Sequence, residues 1–179
     1  MTCTRCPLHK TVTNQVVGMG NMNADIMLIG EAPGAKEDAS GLPFQGMSGT
    51  ILDLALKQAG LSRDDVYITN TVRCRPPGNR NPKVGEVTAC KPNLQNVIDT
   101  VNPKIIVTVG LVSTKRFIQV KNMKDVVGHA HGNIVPMLHP ASYLYSGRSP
   151  KVMDSMVLSL TLAQQTILQS SMPTLAQRH

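Results

Sequence analysis

Two observations predict an α/β domain built on a parallel sheet with helices over both faces. Four short apolar or β-branched runs, at 26–29, 66–69, 104–109 and 133–138, alternate with segments of helical apolar spacing. Strand after helix after strand needs crossover connections, which set neighbouring strands parallel and lay the helices on the sheet. The length, 179 residues with 41% hydrophobic and 16% charged, suits one compact domain. It excludes a disordered chain and a large multidomain enzyme. We expect a single domain over 1–170 that includes an N-terminal Cys-x-x-Cys segment, and a tail at 171–179.

The first strand is the apolar run at 26–29, ended by Gly30. Ile51, Leu52, Ala55, Leu56 and Ala59 then recur on one helical face, with Ser48 as N-cap and Gly60 just past the end. The second strand, 66–69, follows the turn Arg63-Asp64-Asp65. Pro92 suits the start of the next helix, whose stripe is Leu94, Val97, Ile98 and Val101, leaving Cys90 just before it. Pro103 opens the third strand and Gly110 closes it, and a helix follows through Phe117. The fourth strand contains Pro136, which cannot donate to a ladder, so it belongs at an edge. The last helix starts near Lys151 and aligns Val152, Met156, Leu160, Ala163 and Ile167.

Eighteen Lys and Arg against eleven Asp and Glu give a net charge of +7, which favours phosphate-rich partners. Three Tyr, two Phe and no Trp argue against a single-strand binder made of many stacking platforms. No apolar run approaches the roughly 20 residues of a membrane span, and the first residues show no signal-peptide h-region. We expect a cytoplasmic protein with no membrane partner. In that reducing compartment four cysteines are metal ligands or free thiols more readily than disulfides.

Ligands of open α/β sheets bind at the carboxyl ends of the strands, where this chain carries Gly30-Glu31, Asn70, Gly110 and His139. Each alone also reads as a turn cap, a solvated carboxylate or a surface imidazole; their joint placement is what points to a site. The loop 30–34 lacks the Gly-Lys-Ser/Thr of a Walker A, and Gly18-Met19-Gly20 lacks the third glycine of a dinucleotide fingerprint. Phe44 sits in a Gly/Pro-rich loop, 41–46, either as a stacking ring or as an anchor folded back on the domain. The stretch 73–83 holds Arg73, Arg75, Arg80 and Lys83 among prolines and a glycine, which suits phosphate contact. Cys3 and Cys6 form one knuckle, while Cys74 and Cys90 stand singly; zinc, an iron-sulfur cluster and free buried thiols all remain open on this spacing.

In order along the chain, Gly30-Glu31-Ala32-Pro33-Gly34, Glu37-Asp38, Gly41-Leu42-Pro43-Phe44, Thr69-Asn70-Thr71, the basic stretch 73–82 and His139-Pro140-Ala141 closely resemble the family 4 uracil-DNA glycosylases. The stretch 16–21 and the four cysteines resemble that family too. The resemblance implies a three-layer α/β/α fold with a four-stranded parallel sheet, and base-flipping, monofunctional hydrolysis of uracil from single- and double-stranded DNA. It implies a [4Fe-4S] cluster on Cys3, Cys6, Cys74 and Cys90. It makes Glu31 and His139 catalytic, with Gly30, Ala32, Phe44, Asn70 and His139 around the uracil.

Asn70 can accept from uracil N3–H and donate to O4, where cytosine presents the opposite polarity. Arg73, Arg75, Arg80, Lys83, Ser142 and Arg148 are the candidates for gripping DNA. The segment 142–148 departs from the family's usual continuation after His-Pro-Ala. With Cys74 four residues past Asn70, the cluster is expected to brace the loop after the second strand, and Cys90 to lie near a helix N-terminus that favours its charge. A rival reading is a non-catalytic DNA-binding domain like those related to phage DNA polymerases. Uracil-containing DNA is the expected partner of a monomer associated with the nucleoid, with replication or repair proteins as further candidates.

Overall fold

A computed structural model describes residues 2–171. The central sheet has the strand order β1-β3-β2-β4-β5. Strands β2 (Ile26–Gly30), β3 (Val66–Asn70), β4 (Ile105–Val109) and β5 (Ile134–Met137) are parallel, as expected. A fifth strand, β1 (Met19–Gly20), pairs antiparallel with β3 and was not anticipated. Two residues carry too little pattern to read as a strand. Gly20 lies at φ +119°, and a Cβ there would overlap the Val66 carbonyl.

Alternation along each strand builds the layers. Ile26, Leu28, Ile68, Val107 and Val135 pack with Leu52 and Leu56 of α2 (Met47–Gln58) and with Met156 and Leu160 of α6 (Pro150–Ser171). Met27, Ile29, Tyr67, Ile106 and Ile134 pack on the opposite face with Leu94, Val97 and Val101 of α3 (Val84–Val101). Each fully buried Leu or Ile contributes about 1.5–3 kcal/mol. Shorter helices α1 (Ala35–Ser40), α4 (Leu111–Thr114) and α5 (Ala141–Tyr145) follow β2, β4 and β5.

Three boundaries differ from expectation. Helix α2 begins at Met47, and its N-cap is Gly46 rather than Ser48, because a carboxylate from α1 takes the Gly46 N–H. The helix after Gly110 is a single turn that ends short of Phe117. Helix α3 starts at Val84, so Pro92 lies inside it. Pro92 and Thr88 are both exposed, which leaves the carbonyl that Pro92 cannot serve open to water. Cys90 is therefore within α3, beyond the first turn where a helix dipole acts, and the expected N-terminal stabilisation of its charge does not apply.

Strand β5 lies at the edge, as Pro136 requires. The Pro136 carbonyl accepts from Ser159 Oγ at 2.9 Å, and Ile134 pairs with His131 through two backbone hydrogen bonds. Helix α6 runs to Ser171, and the rest of the expected tail, 172–179, lies outside the described residues. Among the described residues no helix is long and apolar enough to cross a membrane.

Candidate active site

Parallel pairing aligns the strand ends: Gly30 stands opposite Asn70, so Glu31 and Asn70 emerge side by side. Thr71 seals this end, its N–H and hydroxyl both donating to the Gly30 carbonyl at 2.8 and 3.0 Å. His139 follows β5, and with Glu31, Asn70 and Phe44 it lines one open cleft of about 650 Å³. Ala32 lies in the same wall, and Gly30 packs directly behind Phe44 and Asn70. A Cβ on Gly30 would come within 2.8 Å of Phe44 Cζ and closer still to Asn70 Oδ1, so the cleft requires glycine there.

Asn70 is only 4% exposed, yet among the described residues its side chain has no hydrogen-bond partner, and its amide faces the cleft. Glu31 is half-buried, and burial raises its carboxyl above the ordinary range. Burial lowers the His139 imidazole, favouring its neutral form. The Ala141 N–H donates to His139 Nδ1 at 3.1 Å, which leaves the ring proton on Nε2 and makes that atom a donor.

Phe44 is an anchor folded back on the domain, and its ring also reaches the cleft. It is buried against the core cluster and also lines the cleft, its ring centroid 6.2 Å from that of His139. Its backbone lies at φ +52°, a left-handed conformation that costs about 1–2 kcal/mol for a residue with a Cβ. Arg63 holds it there: Nη2 donates to the Phe44 carbonyl at 2.6 Å, Nη1 to Pro43 O at 3.1 Å, and Nε pairs with Asp53 at 2.6 Å. Glu37 fixes the same loop from the other side, one carboxylate accepting from Gly34, Gln45 and Gly46 N–H at 3.0, 2.7 and 2.9 Å. Neither role was legible beforehand, although Glu37 stood in a quoted motif and Arg63 in a quoted turn.

The four cysteines line a second, small pocket together with Arg73 and Asn93. Cys74 is pushed up to about 12, first by burial and then by the other three thiols. Cys3 is lowered: burial works against it, but the Arg5 backbone N–H, the Asn93 amide and the charges of Arg5 and Arg73 outweigh it. Asn93 Nδ2 donates to Cys3 Sγ at 3.2 Å and reaches Cys90 Sγ at 3.7 Å. Gln15 ties the N-terminal segment down through both the N–H and the carbonyl of Cys3. Donors and cations around four thiols suit a group held by thiolates. Among the described residues no three His, Cys, Asp or Glu side chains gather closely enough to share one metal ion.

The basic stretch divides. Arg73 donates to the Asn93 carbonyl at 3.0 Å and belongs to the cysteine pocket, apart from the loop cations it was grouped with. Arg80 lines the cleft but is held by a bidentate pair with Glu86 at 2.7 and 2.9 Å. Arg75 donates to Asn79 Oδ1 at 2.6 Å, and Lys83 is exposed at the start of α3. Ser142 is on the cleft wall, and Arg148 is exposed in a left-handed turn beyond it.

A sheet whose carboxyl ends gather a carboxylate, an amide, an imidazole and an aromatic ring in one cleft matches a known fold and site: the chain belongs to the uracil DNA glycosylase superfamily, whose family model matches residues 17–161. Within it, the type-4 uracil-DNA glycosylases are its family. The type-4 uracil-DNA glycosylase of Saccharolobus solfataricus is 42% identical over 166 residues, covering 85% of this chain and 77% of the relative. That of Thermotoga maritima is 41% identical over 156 residues, with 82% and 80% covered. That of Pyrobaculum aerophilum is 42% identical over 155 residues, with 79% of each covered.

Proposed function

We propose that this chain is a DNA repair enzyme that hydrolyses the bond between uracil and deoxyribose in single- and double-stranded DNA and leaves an abasic site. The observation that carries this reading is the convergence of Glu31, Asn70, His139 and Phe44 on one cleft in a chain of this family. The target nucleotide must leave the duplex stack, at a lower cost opposite guanine than in a well-made pair. Phe44 stacks on the flipped base. The unpartnered Asn70 amide accepts from N3–H and donates to O4; cytosine would leave mismatched groups buried, at about 1–3 kcal/mol each.

As the C1′–N1 bond breaks, its electron pair leaves with the base, and charge spreads onto O2. His139 Nε2–H donates to that oxygen, a contact worth about 10²–10³ in rate. Glu31 orients a water whose oxygen bonds C1′ and whose proton passes to the carboxylate. The same negative charge favours the oxocarbenium-like sugar. Arg75, Arg80, Lys83, Ser142 and Arg148 are the candidate side chains for holding the backbone.

Cys3, Cys6, Cys74 and Cys90 would hold a [4Fe-4S] cluster, whose iron-thiolate bonds supply a cross-link between the N-terminal segment, the loop after β3 and α3. Four thiolates around one small pocket suit such a cluster, and the similarity to the type-4 relatives supports it over zinc. The reading extends to a monomer working on nucleoid DNA in the cytoplasm, beside replication or repair proteins.

The test is incubation of cluster-loaded protein with single-stranded and U:G oligonucleotides, followed by alkali. Cleavage at uracil alone is expected. Binding without abasic sites at any pH would replace the enzyme with a non-catalytic DNA-binding domain.

A further inference from the structure

A second groove, of about 530 Å³, opens between the N-terminal cysteine segment and the start of α3. Its walls include Arg5 and Cys6 on one side, Pro77, Arg80 and Lys83 on another, and Glu86 on α3. Glu86 is the one acid among these lining residues, and it is committed: it accepts from both Arg80 nitrogens and from the Lys83 N–H at 2.7 Å. Arg5 and Lys83 have no ion pair among the described residues. The groove therefore carries two uncompensated positive charges, and an anion is the ligand it selects. Arg80 lines both this groove and the uracil cleft, so the two adjoin at that side chain.

We propose that this groove is a second DNA-backbone site, in which Arg5 and Lys83 take phosphates flanking the flipped nucleotide on the strand that enters the cleft. The inference rests on the glycosylase reading for the direction of that strand. Its physical basis is the polyanion itself: a strand held at one point must pass along a neighbouring surface, and this groove adjoins the cleft at Arg80 and carries two cations with no ion pair among the described residues. One wall comes from the Cys3–Cys6 segment, so the site is complete only when that segment is fastened to α3. The cysteine centre then shapes DNA affinity as well as stability.

The experiment measures binding of uracil-containing and uracil-free single strands by Arg5→Gln, Lys83→Gln and the double variant, each checked for native melting temperature and cluster absorption. Dissociation constants are taken across salt concentrations and across oligonucleotides lengthened stepwise on either side of the uracil. Each phosphate contact contributes about 0.7 to the salt slope on single strands. The double variant is expected to lower the slope by about 1.4 and to lose the affinity the native protein gains from lengthening on one side, with each single variant losing about half. An unchanged slope and length gain would overturn the proposal, as would a loss confined to Lys83→Gln, which would reduce the site to the basic loop alone. Because uracil-free strands report the same slope, failure of this site is separable from absence of uracil hydrolysis.

Discussion

Arg63 Nη2 meets the backbone carbonyl of Phe44 at 2.6 Å, joining a turn before β3 to the one aromatic ring that both fills the core and lines the cleft. A left-handed phenylalanine relaxes unless something holds it, and the Arg63 fork, anchored on Asp53, is that restraint. Arg63→Ala is expected to lower kcat/KM on uracil oligonucleotides by about tenfold to a hundredfold, the equivalent of roughly 1.5–3 kcal/mol of charged hydrogen bonding. Arg63→Lys should recover only part, since an ammonium cannot span two carbonyls and a carboxylate. Separate kcat and KM values with a melting curve decide the matter: lost melting temperature with unaltered kinetics would confine Arg63 to the fold.

Gly30→Ala tests the closeness of the cleft wall. Its methyl group would intrude on Phe44 Cζ and Asn70 Oδ1 together. Overpacking of this kind costs about 1–3 kcal/mol, and either the ring or the amide must move. Activity should fall at least tenfold, by about 1.4 kcal/mol of barrier or more. Assay of uracil release with circular dichroism separates the displaced site from an unfolded chain.

The pH profile follows from opposite shifts at Glu31 and His139. Burial raises the Glu31 carboxyl, so the acid limb of kcat/KM should lie above the pH at which a free carboxylate titrates. Burial lowers His139, so its protonation moves toward the same acid side. Glu31→Gln should cut the rate by about 10² or more. The stability sign is the reverse. A carboxyl raised on folding leaves stability intact below its unfolded pKa, and that stability is lost as pH rises through the folded value. The glutamine variant should therefore melt higher than the native protein at pH 7, an advantage that disappears near pH 4.

Cys74→Ala tests the brace. Cys74 follows the Asn70 strand end by four residues, and its thiol faces the pocket of the other three. The variant should lose iron-sulfur absorption near 400 nm and melt at least about 5 °C lower, since each kcal/mol is worth about 2–4 °C in a domain of this size. Full activity with a native melting temperature would remove the proposed link between the cysteine centre and the uracil cleft.

The four parallel strands were legible because each is a continuous apolar run closed by a glycine or a polar residue, and because parallel strands buried on both faces leave that trace. Glu31, Asn70 and His139 were legible for a related reason: strand ends are where such sheets place their chemistry. Strand β1 was not, since pairing of two residues depends on a glycine fitting against β3. The start of α3 was misplaced because Pro92 marks helix beginnings in general, while here its missing N–H falls on an exposed face. Glu37 and Arg63 escaped because a carboxylate that accepts three backbone N–H groups, or a guanidinium that restrains a distant carbonyl, leaves no periodic signature.

The β5 edge has a consequence for how the protein behaves at high concentration. An edge strand normally offers the next chain a row of free donors and acceptors. Here Pro136 offers no N–H, its carbonyl is taken by Ser159, and Ile134 is taken by His131. A second molecule finds no ladder to extend at those positions, so this border of the sheet is protected against fibril-like association.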